Sequence, residues 1–335
     1  MTDFEIFHAG DVALQSGATL PDARLVYKTY GTLNAARDNA ILIPNFYASQ
    51  HPDCEYMFAP GRALDPARHF LIVTNMFGNG LSSSPSNTPP PFDRGRFPQV
   101  TVYDNIVCQH RLVTERLGVE RLRLVTGFSM GAQQAFHWGA QYPEMVDAIA
   151  PICGSARTSP HNFVFLEGAK AALTADAAFA GGDYPAPPRT GLDAFSRVYA
   201  GWMFSQDFYR DRSHRAMGLD TIDDVLRFVE QRFGQRDAND LLAMLWTWQH
   251  ADVAAHPRFG GDLDAALGAI TARAIVMPSE TDLYFRVRDN EIEVAQMPNA
   301  ELRPIPSSWG HAAGRGANPA DNQFIDAALE ELLAA

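Results

Sequence analysis

The chain has 335 residues and carries 27 lysines and arginines against 39 aspartates and glutamates, a net charge of −12 that disfavours nucleic acid and anionic membrane surfaces as partners. With 46% hydrophobic and 20% charged residues it can bury a large core, at a length that fits one α/β core with an insertion. Cys54, Cys108 and Cys153 lack metal-ligand or redox spacing, the N-terminus MTDFEIFHAGDV is acidic where a secretion signal is basic, and no apolar run reaches membrane-spanning length, so a cytoplasmic enzyme acting on a small molecule is expected.

Residues 1–40 predict an antiparallel start to a sheet, with Arg24 to Tyr30 alternating polar and apolar. Ala40 to Ile43 reads as a buried strand ending at Pro44-Asn45-Phe46-Tyr47, and Phe70 to Thr74 as another. The stretch from Gly78 to Pro98 is too rich in breakers for regular structure. Thr101 and Asp104 can cap a helix through Leu117, with Val102, Ile106, Val113 and Leu117 on one face and Gly118 as its stop. Leu122 to Thr126 is a buried strand, Ala132 to Gln141 a helix, and Ala148 to Cys153 the next strand.

Strands alternating with helices in this way predict an α/β fold with a mostly parallel sheet covered on both sides. From Arg157 to Ile270 the apolar spacing turns helical. Ile222, Val225, Leu226, Val229 and Phe233 mark one amphipathic helix, and aromatics such as Tyr199, Phe204 and Trp248 are dense. Residues 157–270 therefore read as a helical lid inserted into a core made of 1–156 and 271–335, lying over the carboxyl edge of the sheet. The sheet resumes at Ala272 to Met277 and Glu301 to Ile305. A helix opened by Asn318-Pro319 closes the chain.

The chemistry is expected between the strand and helix at 122–141. There Gly127-Phe128-Ser129-Met130-Gly131 places a serine on a tight strand-to-helix turn, flanked by the small residues such a turn needs. A serine hydroxyl is a weak nucleophile. It needs a base to take its proton, and the base needs an acid to hold its tautomer. In this strand order the partners follow later, first the acid and then the histidine, each on a loop after a strand.

Pro278-Ser279-Glu280-Thr281-Asp282 and Pro306-Ser307-Ser308-Trp309-Gly310-His311 fill those positions, with Asp282 preferred to Glu280 as the acid. His110 and His137 fall within helices and read as packing or surface residues. The oxyanion donors expected are the backbone N–H of Met130 and that of Tyr47, with Phe46 next. Nothing matches a zinc helix motif, a Walker loop or a dinucleotide fingerprint, so neither a metal nor a bound cofactor is expected.

The order APGRALDPARHFLIVTNMFGNGLSSSPSN, then FPQVTVYDNIVCQHRLVTERLGVERLRLVTGFSMGAQQAFHWGAQYPEMV, with SETDLYF and SSWGHAAG near the end, resembles the homoserine O-acetyltransferase family of α/β-hydrolase-fold enzymes. The resemblance covers about residues 15–155 and 270–335. It implies that Ser129 accepts an acyl group from acetyl-CoA and passes it to a hydroxyl, in a tunnel roofed by helices, in a homodimer formed through them. Family acetyltransferases follow the histidine with an aspartate that holds the acceptor's amino group. Here that residue is Ala312, which offers an ammonium nothing. The loop Pro44 to Ser49 also departs from the family's small-residue version.

Two readings stand. One is an esterase-type acyl hydrolase acting on a small ester or thioester. The other is an O-acetyltransferase with acetyl-CoA as co-substrate and a small alcohol as acceptor. A non-catalytic binding protein on the same fold is the remote third.

Overall fold

The structure is a computed structural model and describes residues 3–334. Its strands are β1 (Glu5–Ala13), β2 (Thr19–Tyr30), β3 (Ala40–Pro44), β4 (Phe70–Thr74), β5 (Leu124–Phe128), β6 (Ala148–Ile152), β7 (Arg273–Val276) and β8 (Ala300–Leu302). They form one sheet in the order β1-β2-β4-β3-β5-β6-β7-β8. β1 pairs antiparallel with β2, and β2 antiparallel with β4. Every pairing from β4 to β8 is parallel.

Parallel strands need cover on both faces, and the side-chain alternation divides accordingly. In β3, Ile41 and Ile43 join one apolar cluster while Ala40 and Leu42 join another on the opposite face. The helices α1 (Val102–Arg111) and α2 (Met130–Gln141) pack with the second cluster through Ile106, Ala135 and Trp138. Between β6 and β7 run α3 (Pro160–Thr174), α4 (Arg189–Met203), α5 (Gln206–Arg210), α6 (Ile222–Gly234), α7 (Ala238–Gln249) and α8 (Leu263–Gly268). The first five add Leu166, Phe195, Phe208, Val229 and Leu245 to the first cluster, whereas α8 packs with the second through Ala266 and Leu267. Two further helices, α9 (Val287–Val294) and α10 (Pro319–Ala334), follow β7 and β8.

The differences from the sequence reading are local and physical. The strand expected at 122–126 begins two residues later and runs on through Gly127 and Phe128, which pair with Pro151 and Ile152. The strand expected at 301–305 is only Ala300–Leu302 in regular form, because Pro304 has no N–H for the ladder. α1 stops at Arg111 and a single π-turn carries the chain over Leu112–Arg116, before Gly118 at φ +62°. Thr101 and Asp104 form the expected cap reciprocally, and Thr221 and Asp224 form a second reciprocal cap at α6. Ile222, placed by spacing on the buried stripe of α6, occupies its first position and is 47% exposed. All three cysteines are unpaired and buried.

Candidate active site

The turn after β5 holds Ser129 at φ 58°, ψ −121°, outside the regions a side-chain-bearing residue normally visits. Its N–H donates to Ile152 O at 2.9 Å, so the β5–β6 ladder reaches into the turn itself. The flanking glycines are sterically required. A Cβ on Gly127 would lie 2.7 Å from Gly131 C, and one on Gly131 would lie 2.5 Å from Pro44 O. The helix therefore starts directly against the end of β3, and Ser129 projects where both meet.

His311 comes from the turn Gly310–Arg315 after β8, and Asp282 from the loop after β7. Thr281 ties the two loops together: its Oγ1 donates to Ser307 O at 2.7 Å and accepts from Gly310 N at 3.0 Å. Asp282 Oδ1 accepts from the N–H groups of Tyr284 and Phe285 at 3.0 and 3.1 Å, and its Oδ2 lies 2.7 Å from His311 Nδ1. A carboxylate only accepts, so Nδ1 carries the proton and Nε2 is left as acceptor for Ser129 Oγ, 2.9 Å away. The imidazole is held between Phe128 and Tyr284, with ring centroids at 4.5 and 4.4 Å. All three residues are at most 4% exposed. Glu280, the rival acid, is exposed.

Of the two candidate N–H groups after β3, that of Phe46 is taken, donating to Ser49 Oγ at 2.8 Å. Tyr47 N–H has no partner among the described residues, and neither does Met130 N–H at the first position of α2. The Tyr47 ring turns inward instead, with its hydroxyl donating to Leu241 O at 3.0 Å. Burial raises the Tyr47 and Tyr199 phenols above their ordinary range. His110 stacks on Tyr142, and His137 is buried in α2, where burial pushes its imidazole down to about 3 and keeps it neutral.

Ser129 and His311 face a cavity of about 250 Å³ whose wall is mostly apolar. Tyr199, Phe204 and Phe233 line it from the helical segment, while Trp248 packs behind Tyr47 at 5.5 Å. Ala312 also lines it, with no polar atom to present beyond its backbone. The lining reaches the surface at Ala317 and at Phe228, which is 37% exposed. The sequence reading missed several cavity residues, among them two arginines, Arg232 on α6 and Arg315 on the histidine turn. For Arg232 a signal existed, since it follows Val229 by three on the buried stripe where a charge is out of place. Arg315 left no such mark.

Among the described residues, no group of three or more His, Cys, Asp or Glu is placed to hold a metal ion, and no helix is long and apolar enough to cross a membrane. The family model for the alpha/beta hydrolase fold matches residues 41–240. The chain is 39% identical over 334 residues to an ethyl acetate hydrolase of Pseudomonas veronii, covering 98% of this chain and 95% of that protein. It superposes on a crystal structure of an acetylester hydrolase from Corynebacterium glutamicum with a TM-score of 0.96 at 38% identity, covering 99% and 96% of the two chains. A homoserine O-acetyltransferase of Chlorobium chlorochromatii is 31% identical, over 94% of this chain and 92% of that one.

Proposed function

The chain belongs to the alpha/beta hydrolase fold family, and from that premise we propose how it works as an esterase-type acyl hydrolase: Ser129 takes the acyl group of a small ester, and His311 then directs water onto it. The observation that carries this reading is the unbroken hydrogen-bond chain from Asp282 through His311 to Ser129. His311 Nε2 receives the Ser129 proton as Oγ attacks the ester carbonyl, while Asp282 keeps the ring oriented and stabilises its positive charge. The oxyanion of the tetrahedral intermediate accepts from Met130 N–H and Tyr47 N–H, a pair of donors worth ~3 kcal/mol each at such sites. Collapse expels the alcohol with the proton from His311. Water then adds to the acyl-serine, giving its proton to His311, and the acid leaves as Ser129 recovers its hydrogen. Ester and water become acid and alcohol, with no cofactor consumed.

The similarity to an ethyl acetate hydrolase and an acetylester hydrolase supports acetyl as the acyl group, and the modest cavity suits a short ester. Transfer to an alcohol is the second reading, favoured by the 31% identical transferase. Ala312 stands against an amino-acid acceptor, since its methyl group in the cavity wall cannot hold an ammonium. A homodimer through the helical segment is part of the proposal, supported by the exposed Val164 on α3 and Ile222 on α6.

Rates with p-nitrophenyl acetate, and with acetyl-CoA in the presence and absence of added alcohols, separate the readings. We expect ester hydrolysis that disappears in Ser129→Ala and CoA release that added alcohol does not accelerate. Alcohol-dependent formation of an acetylated product would establish transfer instead.

A further inference from the structure

We propose that Arg232 and Arg315 form an anion subsite in the catalytic cavity, so that the preferred esters carry a carboxylate or phosphate group in addition to the scissile bond; this rests on the esterase reading above. Both guanidinium groups stand over the ring of Phe46, with Cζ at 5.9 Å for Arg232 and 4.7 Å for Arg315. Phe46 meets Phe128 edge-on at 5.2 Å, and Phe128 packs on His311. The two cations therefore lie two rings from the base. They also come from separate elements, Arg232 from α6 one turn beyond Phe228 at the mouth, and Arg315 four residues beyond His311.

Neither arginine makes a hydrogen bond or an ion pair with its side chain among the described residues, whereas other half-buried arginines are paired. Arg62 binds Asp326 at 2.8 Å, and Arg236 binds Asp53 at 3.1 Å. Asp53, the carboxylate whose charge reaches Arg232, is thus engaged by Arg236 and also accepts from Gln50 N at 2.9 Å. Burial works against the Arg232 charge, and the like charge of Arg315 adds to the penalty. Two uncompensated cations in a mostly apolar cavity are costly unless an anion joins them. A chain of net charge −12 makes their concentration beside the nucleophile more telling. Guanidinium forks suit planar carboxylates and phosphates, and a substrate anion bridging the pair would fix the ester between α6 and the histidine turn.

The test compares near-isosteric esters on the intact enzyme. Mono-4-nitrophenyl succinate against 4-nitrophenyl pentanoate places the anion on the acyl side, and acetoxyacetate against ethyl acetate places it on the alcohol side. We expect kcat/KM for at least one anionic ester to exceed that of its neutral partner by about tenfold, chiefly through KM, as one charge-assisted contact would give. The arm showing the preference identifies which part of the substrate is charged. That ratio should fall toward one in Arg232→Gln/Arg315→Gln, and Arg315→Lys should retain part of it. If the double variant does not fold, the single Arg315→Gln is read the same way. Neutral esters hydrolysed as fast as or faster than both anionic ones, or a ratio unmoved by the substitutions, would overturn the subsite while leaving the esterase reading intact. If no ester is turned over at all, the esterase reading fails by itself. Calorimetry with monomethyl succinate then decides the subsite: binding that the double variant loses supports it, and no binding to the unmodified protein overturns it.

Discussion

Ser129 is held at φ 58° by its surroundings, a conformation that costs a side-chain-bearing residue of order 1–3 kcal/mol. The strain exposes the hydroxyl to His311 and starts α2 so that Met130 N–H has no partner among the described residues. Glycine adopts this conformation without penalty, so two inactive variants should differ in stability. Ser129→Gly should unfold at higher denaturant than Ser129→Ala, by ~1 kcal/mol, although glycine is ordinarily the less stable of the two. A glycine variant weaker than the alanine variant would show the turn to be unstrained. At this scale Ser129, Asp282 and His311 were legible because a motif and a strand order constrain them. Tyr47 was preferred to Phe46 on the sequence alone, and what the sequence did not show is that Ser49 Oγ occupies the Phe46 N–H. Arg232 and Arg315 were not legible as a pair, because a charge facing a cavity and a charge facing solvent are written with the same letter.

Among the elements, α9 is anchored to the chain leaving β6 by two buried side chains, Asn290, whose Nδ2 donates to Gly154 O at 2.9 Å, and the carboxyl of Glu293. Glu293 accepts from Ala156 N at 2.8 Å and from Asn290 Nδ2 at 2.7 Å. Burial raises its carboxyl from 4.5 to about 8, against the hydrogen bonds that lower it. The folded chain thus keeps a proton that the unfolded chain releases above 4.5. This contribution to stability is fully present below 4.5 and is lost as pH rises toward about 8. The melting temperature should fall between pH 5 and pH 8, and Glu293→Gln, which does not titrate, should shrink that difference; an unchanged difference would remove Glu293 as its source. Strands and helices themselves were readable from apolar runs and breakers. Their ends were not. Gly127 and Phe128 look like turn residues until the β6 partner is known, and Pro304 cuts β8 short through a missing donor rather than through polarity.

For the whole molecule, the sequence pointed to a mostly parallel sheet with an antiparallel start, and the eight-stranded order agrees. The neighbours of each strand were not readable, since they depend on where each crossover lands. The proposed dimer belongs to this scale. Val164 is 66% exposed on α3, and Val164→Asp should shift the sedimenting species from dimer to monomer; a monomer before the substitution would exclude that assembly. Catalysis as proposed requires an acyl group to reside on one serine. Rapid acid quench of the enzyme with p-nitrophenyl acetate, followed by peptide mass mapping, tests this directly. An acetyl group is expected on the peptide containing Ser129, formed as fast as nitrophenol appears, with both lost in Ser129→Ala. Hydrolysis continuing at the unmodified rate in that variant, or an acetyl group found on another residue, would contradict it.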